Sequence, residues 1–264
     1  KDTIYNLEKI PAKKLVYKTS ILGQPSKVKA GFPRLKDGAT ESLLMFGQDQ
    51  GLSGTVVSDF SQDKNGALWI ATDNGLNRFD GEYMEIYTRE QGFSGDYRNR
   101  VFADSKGQIW NTQTQINIGL EIIDQHTKTL KHLGRNQGLS NNNITGILED
   151  KKGRIWLSTF NGVNVLDEKE GTIRIIKNES GLIQNGISCL MEDKEGNIWL
   201  GMFGKGIDIL NEKSGKILHI DSSTGLQNNK IRNMKQNENG DVWVGTEGGV
   251  EIINLKEGRI SHFN

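Results

Sequence analysis

Four histidines and one cysteine are the side chains of this 264-residue chain best suited to proton transfer or transition-metal binding. They are His126, His132, His219, His262 and Cys189. A single cysteine cannot form an internal disulfide and offers no second thiol to a metal. No Ser/His/Asp set, closely spaced histidine pair or glycine-rich phosphate loop stands at a usable spacing. The sequence therefore predicts no catalytic residue, no metal site and no cofactor.

The charge balance and hydrophobicity exclude two further classes of partner. The 33 Lys and Arg residues equal the 33 Asp and Glu residues in number. Nucleic-acid binding needs a basic footprint, so no nucleic-acid partner is expected. Nothing approaches the apolar run of about 18 residues that a membrane-spanning helix requires, so direct insertion into a membrane is not expected.

The secondary-structure elements that must position any site are set by a sequence repeat, and this repeat contains every tryptophan of the chain. Trp69, Trp110, Trp156, Trp199 and Trp243 are spaced by 41, 46, 43 and 44 residues. A glycine stands three residues before each Trp, and an Asp, or Asn237 in the last copy, stands six before it. A Gly-apolar pair begins eighteen residues before each Trp. The repeats are 51–91, 92–137, 138–180, 181–224 and 225–264.

Each repeat alternates short β-rich runs with turns, which predicts four strands, a to d. In the first repeat these are "VVSDFSQ", "LWIAT", "LNRFD" and "YMEIYT". The Asp-x-x-Gly segment between strands a and b is interpreted as a hairpin turn and not a calcium loop, because Asn65 and Ala67 lack the required carboxylates. The Trp in strand b is followed two residues later by a small side chain, which predicts that the Trp residues form the core between stacked sheets.

Repeats of this length with four strands each predict an all-β fold, a β-propeller of four-stranded blades. Residues 41–264 contain five recognisable blades. Residues 1–40 are predicted to be an extended segment or a partial blade. The sequence leaves two alternatives open: residues 1–40 complete a sixth blade, or the chain is a segment of a larger propeller.

The combined pattern G-L-x-x-N-x-[VI], D-x-x-G-x-[LI]-W-[IL]-G-T and G-[LV] resembles the two-component regulator propeller repeat, over residues 51–256. That family forms the extracytoplasmic sensor regions of bacterial hybrid histidine kinases, many of which sense polysaccharide fragments. The resemblance implies a periplasmic or other extracytoplasmic location. It also implies a non-enzymatic sensor that binds a small molecule or an oligosaccharide, with itself or other sensor domains as further partners.

The second repeat departs from the pattern and is the first candidate for the binding site. Arg98 and Asn111 replace residues that are apolar in the other repeats, and the connection between strands b and c is three residues longer. A guanidinium at a position that is otherwise apolar is costly to bury unless a ligand or partner forms hydrogen bonds with it. Arg98 is therefore predicted to bind an acidic sugar. Tyr97, Gln113 and Gln115 are predicted to line the same site.

The b-to-c and d-to-a connections of a blade share one face, and this face varies between repeats. Amides with a few aromatic and charged side chains suit carbohydrate. The remaining predicted ligand-binding residues are Asn142, Phe160, Asn161, Phe203, Lys205, Asn228 and Glu247.

Two other functions stay open at this point. A protein-interaction or assembly propeller would use its rim. A propeller lyase, as in the streptogramin lyases, would need a general base and usually a metal on the axial face. The histidines fall instead in outer d strands or c-to-d connections, which disfavours the lyase.

Overall fold

The computed structural model describes residues 2–35, 44–97, 99–113 and 118–263. Regular structure in these ranges consists of strands and 3₁₀ turns. Six strands precede the first repeat: β1 (Asp2–Ile4), β2 (Lys13–Lys14), β3 (Lys18–Ile21), β4 (Ser26–Lys29), β5 (Arg34–Leu35) and β6 (Leu44–Met45).

The five repeats form five antiparallel sheets, each with its four strands in chain order. Blade 1 contains β7 (Val57–Gln62), β8 (Leu68–Thr72), β9 (Gly75–Phe79) and β10 (Tyr83–Tyr87). Blade 2 contains β11 (Arg100–Ala103), β12 (Gln108–Thr112), β13 (Leu120–Asp124) and β14 (Thr129–Leu133). Blade 3 contains β15 (Ile144–Glu149), β16 (Ile155–Thr159), β17 (Gly162–Asp167) and β18 (Thr172–Ile176).

Blade 4 contains β19 (Ile187–Glu192), β20 (Ile198–Met202), β21 (Ile207–Asn211) and β22 (Lys216–Ile220). Blade 5 contains β23 (Ile231–Gln236), β24 (Val242–Thr246), β25 (Gly249–Asn254) and β26 (Arg259–Phe263). Four-stranded antiparallel sheets repeated along a chain are the blades of a β-propeller, so the predicted all-β class and blade type are confirmed.

The N-terminal strands join these sheets as outer fifth strands. β1 pairs with β22 of blade 4, β2 with β18 of blade 3, β3 with β14 of blade 2, and β4 with β10 of blade 1. β5 and β6 form a two-stranded ladder. The strands β1 to β4 are thus distributed over four blades and do not combine into one further blade.

The chain divides into two compact units. One unit comprises residues 17–134, with blades 1 and 2, and the other comprises residues 1–16 and 135–264, with blades 3 to 5. The first has an apolar core around Trp69, and the second has two apolar cores, around Trp156 and Trp199.

The Asp-x-x-Gly segment is a hairpin turn, and its Asp also holds the Trp. In blade 1 the Asp63 Oδ1 atom accepts the backbone N–H groups of Asn65 and Ala67, at 2.9 and 3.1 Å. Its Oδ2 atom accepts the indole N–H of Trp69 at 2.9 Å. The same Asp–indole bond recurs in blades 2, 3 and 4 at 2.8 Å. One side chain thus fixes both the turn and the Trp ring of the following strand.

The predicted core position of the Trp residues is confirmed for four of the five. Trp69, Trp110 and Trp156 are 0% exposed and Trp199 is 1% exposed, whereas Trp243 is 43% exposed. In the unit of blades 3 to 5, side chains of the following blade cover each buried Trp; Ile231 and Val244, for example, belong to the core around Trp199. The prediction was wrong for Trp243, because the described residues of this unit include no blade after blade 5.

Candidate functional site

Two exposed aromatic rings lie side by side on blades 3 and 4. Phe160 follows strand β16 and Phe203 follows strand β20, so both belong to b-to-c connections. Their ring centroids are 5.1 Å apart, with the ring planes tilted by 51°. Phe160 is 50% exposed and Phe203 37% exposed, so the pair presents an apolar platform to solvent.

Backbone hydrogen bonds between blades hold the two connections that carry these rings. The Gly162 N–H donates to Asn185 O of blade 4 at 2.7 Å, and the Gly206 N–H donates to Asn229 O of blade 5 at 2.9 Å. Gly206 has a φ of +81°, and a Cβ at this position would lie 2.1 Å from Ile220 O. A residue with a side chain would therefore displace the connection that carries Phe203.

Polar groups accompany the rings. Asn161, next to Phe160 in the chain, is partly exposed. Its Nδ2 atom donates to Ser140 O at 3.2 Å. Lys205 is exposed two residues after Phe203. Asn142 Oδ1 accepts the Arg135 N–H at 2.7 Å, so this side chain braces the loop, and its ligand role stays a prediction.

The b-to-c and d-to-a connections of blade 5 carry charged side chains. Glu247 forms ion pairs with Lys230, at 2.9 Å, and with Arg232. Hydrogen bonding to Lys230 is the main cause that lowers the pKa of the exposed Glu247 carboxyl. Asn228 Oδ1 accepts the Lys230 N–H at 2.8 Å and so braces this corner. The structure thus places Asn228 and Glu247 within one charged loop cluster.

The structure describes two of the four residues of the predicted site in blade 2. Gln113 is 3% exposed, and its amide donates to Gly95 O at 3.0 Å and to Glu121 Oε2 at 3.2 Å. The Gln113 amide is thus engaged with buried partners, and its role in ligand binding stays a prediction. Tyr97 is partly exposed. Arg98 and Gln115 lie outside the described residues.

The polar position Asn111 has a structural explanation. Its side chain is 0% exposed and donates from Nδ2 to Glu121 O at 2.8 Å. The Glu121 carboxylate also accepts the backbone N–H and hydroxyl of Ser94, at 2.9 and 2.8 Å. A buried polar network thus replaces apolar packing at this point of blade 2.

Sequence reasoning missed three carboxylate–histidine pairs that join strands c and d. Each pairs His Nδ1 with a buried carboxylate: Glu121 with His132 at 3.2 Å, Asp208 with His219 at 2.5 Å, and Glu251 with His262 at 3.2 Å. Burial raises the pKa of the Asp208 carboxyl. A usable signal existed, because each carboxylate stands eleven residues before its His.

The carboxylates also fix the d-to-a connections. Asp208 Oδ2 accepts the Ile183 N–H at 2.9 Å, and Glu251 Oε1 accepts the Gln227 N–H at 3.1 Å. In blades 1 and 3 an Asn fixes the d-to-a connection instead. Asn77 accepts the Ser53 N–H, and Asn164 accepts the Ser140 N–H. One polar residue of strand c therefore anchors this connection in every blade.

Two of the histidines complete a hydroxyl–imidazole–carboxylate arrangement that the sequence was expected to lack. His219 Nε2 lies 2.9 Å from Thr3 Oγ1, and His132 Nε2 lies 3.5 Å from Ser20 Oγ. Thr3 belongs to β1 and Ser20 to β3, so the hydroxyls come from the outer fifth strands. Each set joins three neighbouring strands of one sheet.

Four segments of the chain match a known family of repeat sequences. Residues 51–74, 138–161, 181–204 and 225–248 match the family described as "Two component regulator propeller". These are the Gly-Leu to b-to-c segments of blades 1, 3, 4 and 5.

Solved structures share the blade architecture. The extracellular domain described as that of a hybrid two component system from B. thetaiotaomicron is 26% identical, with a TM-score of 0.69, over 82% of this chain and 31% of that one. Virginiamycin B lyase from Staphylococcus aureus is 17% identical, with a TM-score of 0.63, over 81% of this chain and 71% of that one. The second likeness shows the fold alone.

A curated relative matches one short segment. "Histidine kinase P4" of Formosa agariphila is 54% identical over 37 residues, which is 14% of this chain and 3% of that protein. The chain thus spans about a third of the sensor structure it resembles, and a small part of this kinase.

The fold and its repeats define a β-propeller built from four-stranded blades. More particularly, four segments of the chain match the repeat described as "Two component regulator propeller", and the chain is similar in structure to the extracellular domain of a hybrid two component system. The described residues include no helix with the length and hydrophobicity of a membrane span.

Proposed function

We propose that this chain is a non-enzymatic, extracytoplasmic sensor propeller that binds an oligosaccharide through the face carrying Phe160 and Phe203. The observation that carries the proposal is the pair of half-exposed rings in contact at 5.1 Å. Aromatic rings that stay exposed beside amides and charges are typical of ligand sites, because they offer apolar area at little conformational cost.

The similarity to the extracellular domain of a hybrid two component system supports the sensor role and the periplasmic location. The absence of enzymatic activity is part of the proposal. Its support is the position of the histidines, since His132, His219 and His262 lie on d strands and are engaged with carboxylates. None of these three lies in a connection of the Phe160–Phe203 face.

We expect Phe160→Ala and Phe203→Ala each to weaken oligosaccharide binding about tenfold or more, because truncating a ring removes contact area at the centre of the site. Isothermal titration with a panel of neutral and uronic-acid oligosaccharides measures this loss. The panel includes gluco-, xylo-, manno- and alginate-derived tetramers, since the structure favours no single sugar.

Phe60→Ala is the matched control, because Phe60 is 71% exposed but lies on strand β7 of blade 1. This variant should bind the same oligosaccharides as the unmodified chain. Equal affinity of Phe160→Ala, Phe203→Ala and the unmodified chain for a bound sugar would refute the site.

A further inference from the structure

The connections that carry the two Phe rings continue into blade 5 through backbone hydrogen bonds. The bond from the Gly206 N–H to Asn229 O, at 2.9 Å, joins the b-to-c connection of blade 4 to the d-to-a connection that leads into blade 5. The Glu247 N–H then donates to Lys230 O at 3.2 Å, which adds the b-to-c connection of blade 5. Lys205 precedes Gly206, and Lys230 follows Asn229. The two lysines are therefore chain neighbours of residues that are hydrogen-bonded to each other.

Four charged residues form what we call the charged strip beside the Phe160–Phe203 face. They are Lys205, Lys230, Arg232 and Glu247. The Glu247 carboxylate pairs with both Lys230 and Arg232, so one negative charge is shared by two positive ones. The strip thus has three cations and one carboxylate, in a chain whose formal net charge is zero.

The Lys205 ammonium group is available to a ligand. Among the residues that the structure describes, none forms a hydrogen bond or an ion pair with it. Gly204 separates Lys205 from Phe203, and a Cβ at Gly204 would meet no described atom within 4 Å. A ligand that contacts the Phe203 ring therefore has open space toward an exposed cation.

Other carboxylates of these connections do not neutralise the strip. Asp208 and Glu251 are buried, and each binds backbone N–H groups and a His of its own blade. Glu179 and Asp221 lie at the beginnings of d-to-a connections, just after strands β18 and β22. The strip lies beside strands a and b of blade 5 and strand b of blade 4, away from strands d in the sheet order. Its excess positive charge is therefore directed to solvent on the side of the Phe rings.

We propose that the oligosaccharide bound at the Phe160–Phe203 face is acidic. One sugar ring lies against the aromatic pair, and a carboxylate or sulfate group of a neighbouring ring lies against Lys205 and Lys230. This inference rests on the proposed function and names its class of ligand. Charge complementarity of this kind selects between partners that offer the same apolar contact. A lysine ammonium is a point charge, so the shared chemistry is the negative charge on the sugar ring.

The test uses sugar tetramers that differ only in charge. Glucose and mannose tetramers are each compared with the glucuronate or mannuronate tetramer of the same linkage, and with a tetramer sulfated on the same hydroxymethyl group. In isothermal titration at low salt, an acidic tetramer should bind about three- to tenfold more tightly than its neutral counterpart, because two exposed ion pairs form. The tighter of the two acidic forms identifies the anionic group. The advantage should shrink between about 50 and about 500 mM salt, because salt screens exposed charges.

Three variants assign the effect to the strip. Lys205→Gln should weaken binding of the acidic tetramer about threefold or more, because it removes one ion pair. Glu247→Gln should act in the opposite direction and strengthen that binding, because it removes the carboxylate that competes with the ligand for Lys230 and Arg232. Lys213→Gln is the matched control, because Lys213 is exposed on the c-to-d connection of blade 4, and it should leave the affinity unchanged.

The outcomes separate this inference from the proposed function. Equal affinity for the acidic and neutral members of every set would overturn the acidic ligand and leave an oligosaccharide sensor standing. Binding that Phe203→Ala weakens and Lys205→Gln does not would have the same meaning. An advantage of the acidic tetramer that is unchanged at high salt would also overturn the inference. If no tetramer bound saturably, the proposed function would fail and this inference with it.

Discussion

Trp156→Ala is expected to lower the free energy of unfolding by about 3–5 kcal/mol, the cost of a large-to-small change in a packed core. Trp156 is 0% exposed and packs with side chains of blade 4, including Ile187 and Ile198. The substitution removes this contact between blades 3 and 4 and also leaves the Asp150 carboxylate without the indole N–H. Chemical denaturation followed by circular dichroism measures the change.

Trp243→Ala is the matched control, because it changes the same repeat position where the ring is 43% exposed. We expect its cost to stay near about 1 kcal/mol, because a half-exposed ring buries less area and leaves a smaller void. Equal costs for the two variants would show that the Trp residues do not stabilise the chain by packing between blades.

Asp193→Ala is expected to destabilise the chain by about 2–4 kcal/mol, because it leaves several donors without a charged acceptor. Asp193 accepts the Asn197 N–H at 2.7 Å and the Trp199 indole N–H at 2.8 Å. The indole is buried, so water cannot replace the lost bond.

The control for Asp193→Ala is Asn237→Ala in blade 5, at the equivalent position. Asn237 Oδ1 accepts the Asp241 N–H at 2.9 Å, so this variant loses a turn contact beside an exposed Trp. We expect a loss of about 1 kcal/mol or less. The difference in unfolding free energy between the two variants includes the Asp–indole bond, and a difference of zero would contradict the structural role of that bond.

The sequence predicted the blades well because their turns and their core depend on local spacing. The run "LWIAT" became strand β8 with the predicted limits, and the Asp-x-x-Gly turns formed where glycine and Asp set the backbone. Such signals lie within a few residues of each other. The prediction that Trp243 is buried was wrong, because burial of this ring depends on a neighbouring blade, which local spacing does not report.

The outer strands and the histidine pairs were not predictable by the same reasoning. β2 is the dipeptide Lys13–Lys14, whose exposed side chains carry no alternating pattern, and its pairing with β18 depends on a partner far along the chain. Gln113 looked like a loop residue because its buried acceptor, Glu121, is specified by tertiary structure. The Phe160–Phe203 contact follows from the stacking of blades 3 and 4, although each Phe was recognised as a candidate.

The most direct test of the central claim is a nuclear magnetic resonance titration of the chain with the oligosaccharide panel, followed by chromatography of the recovered sugar. The account predicts that one class of sugar binds saturably and shifts the resonances around Phe160, Phe203 and Lys205. It also predicts that the sugar is recovered with its length unchanged. A shortened or eliminated product, or saturable binding that leaves these resonances unmoved, would contradict a non-enzymatic sensor that binds through this face.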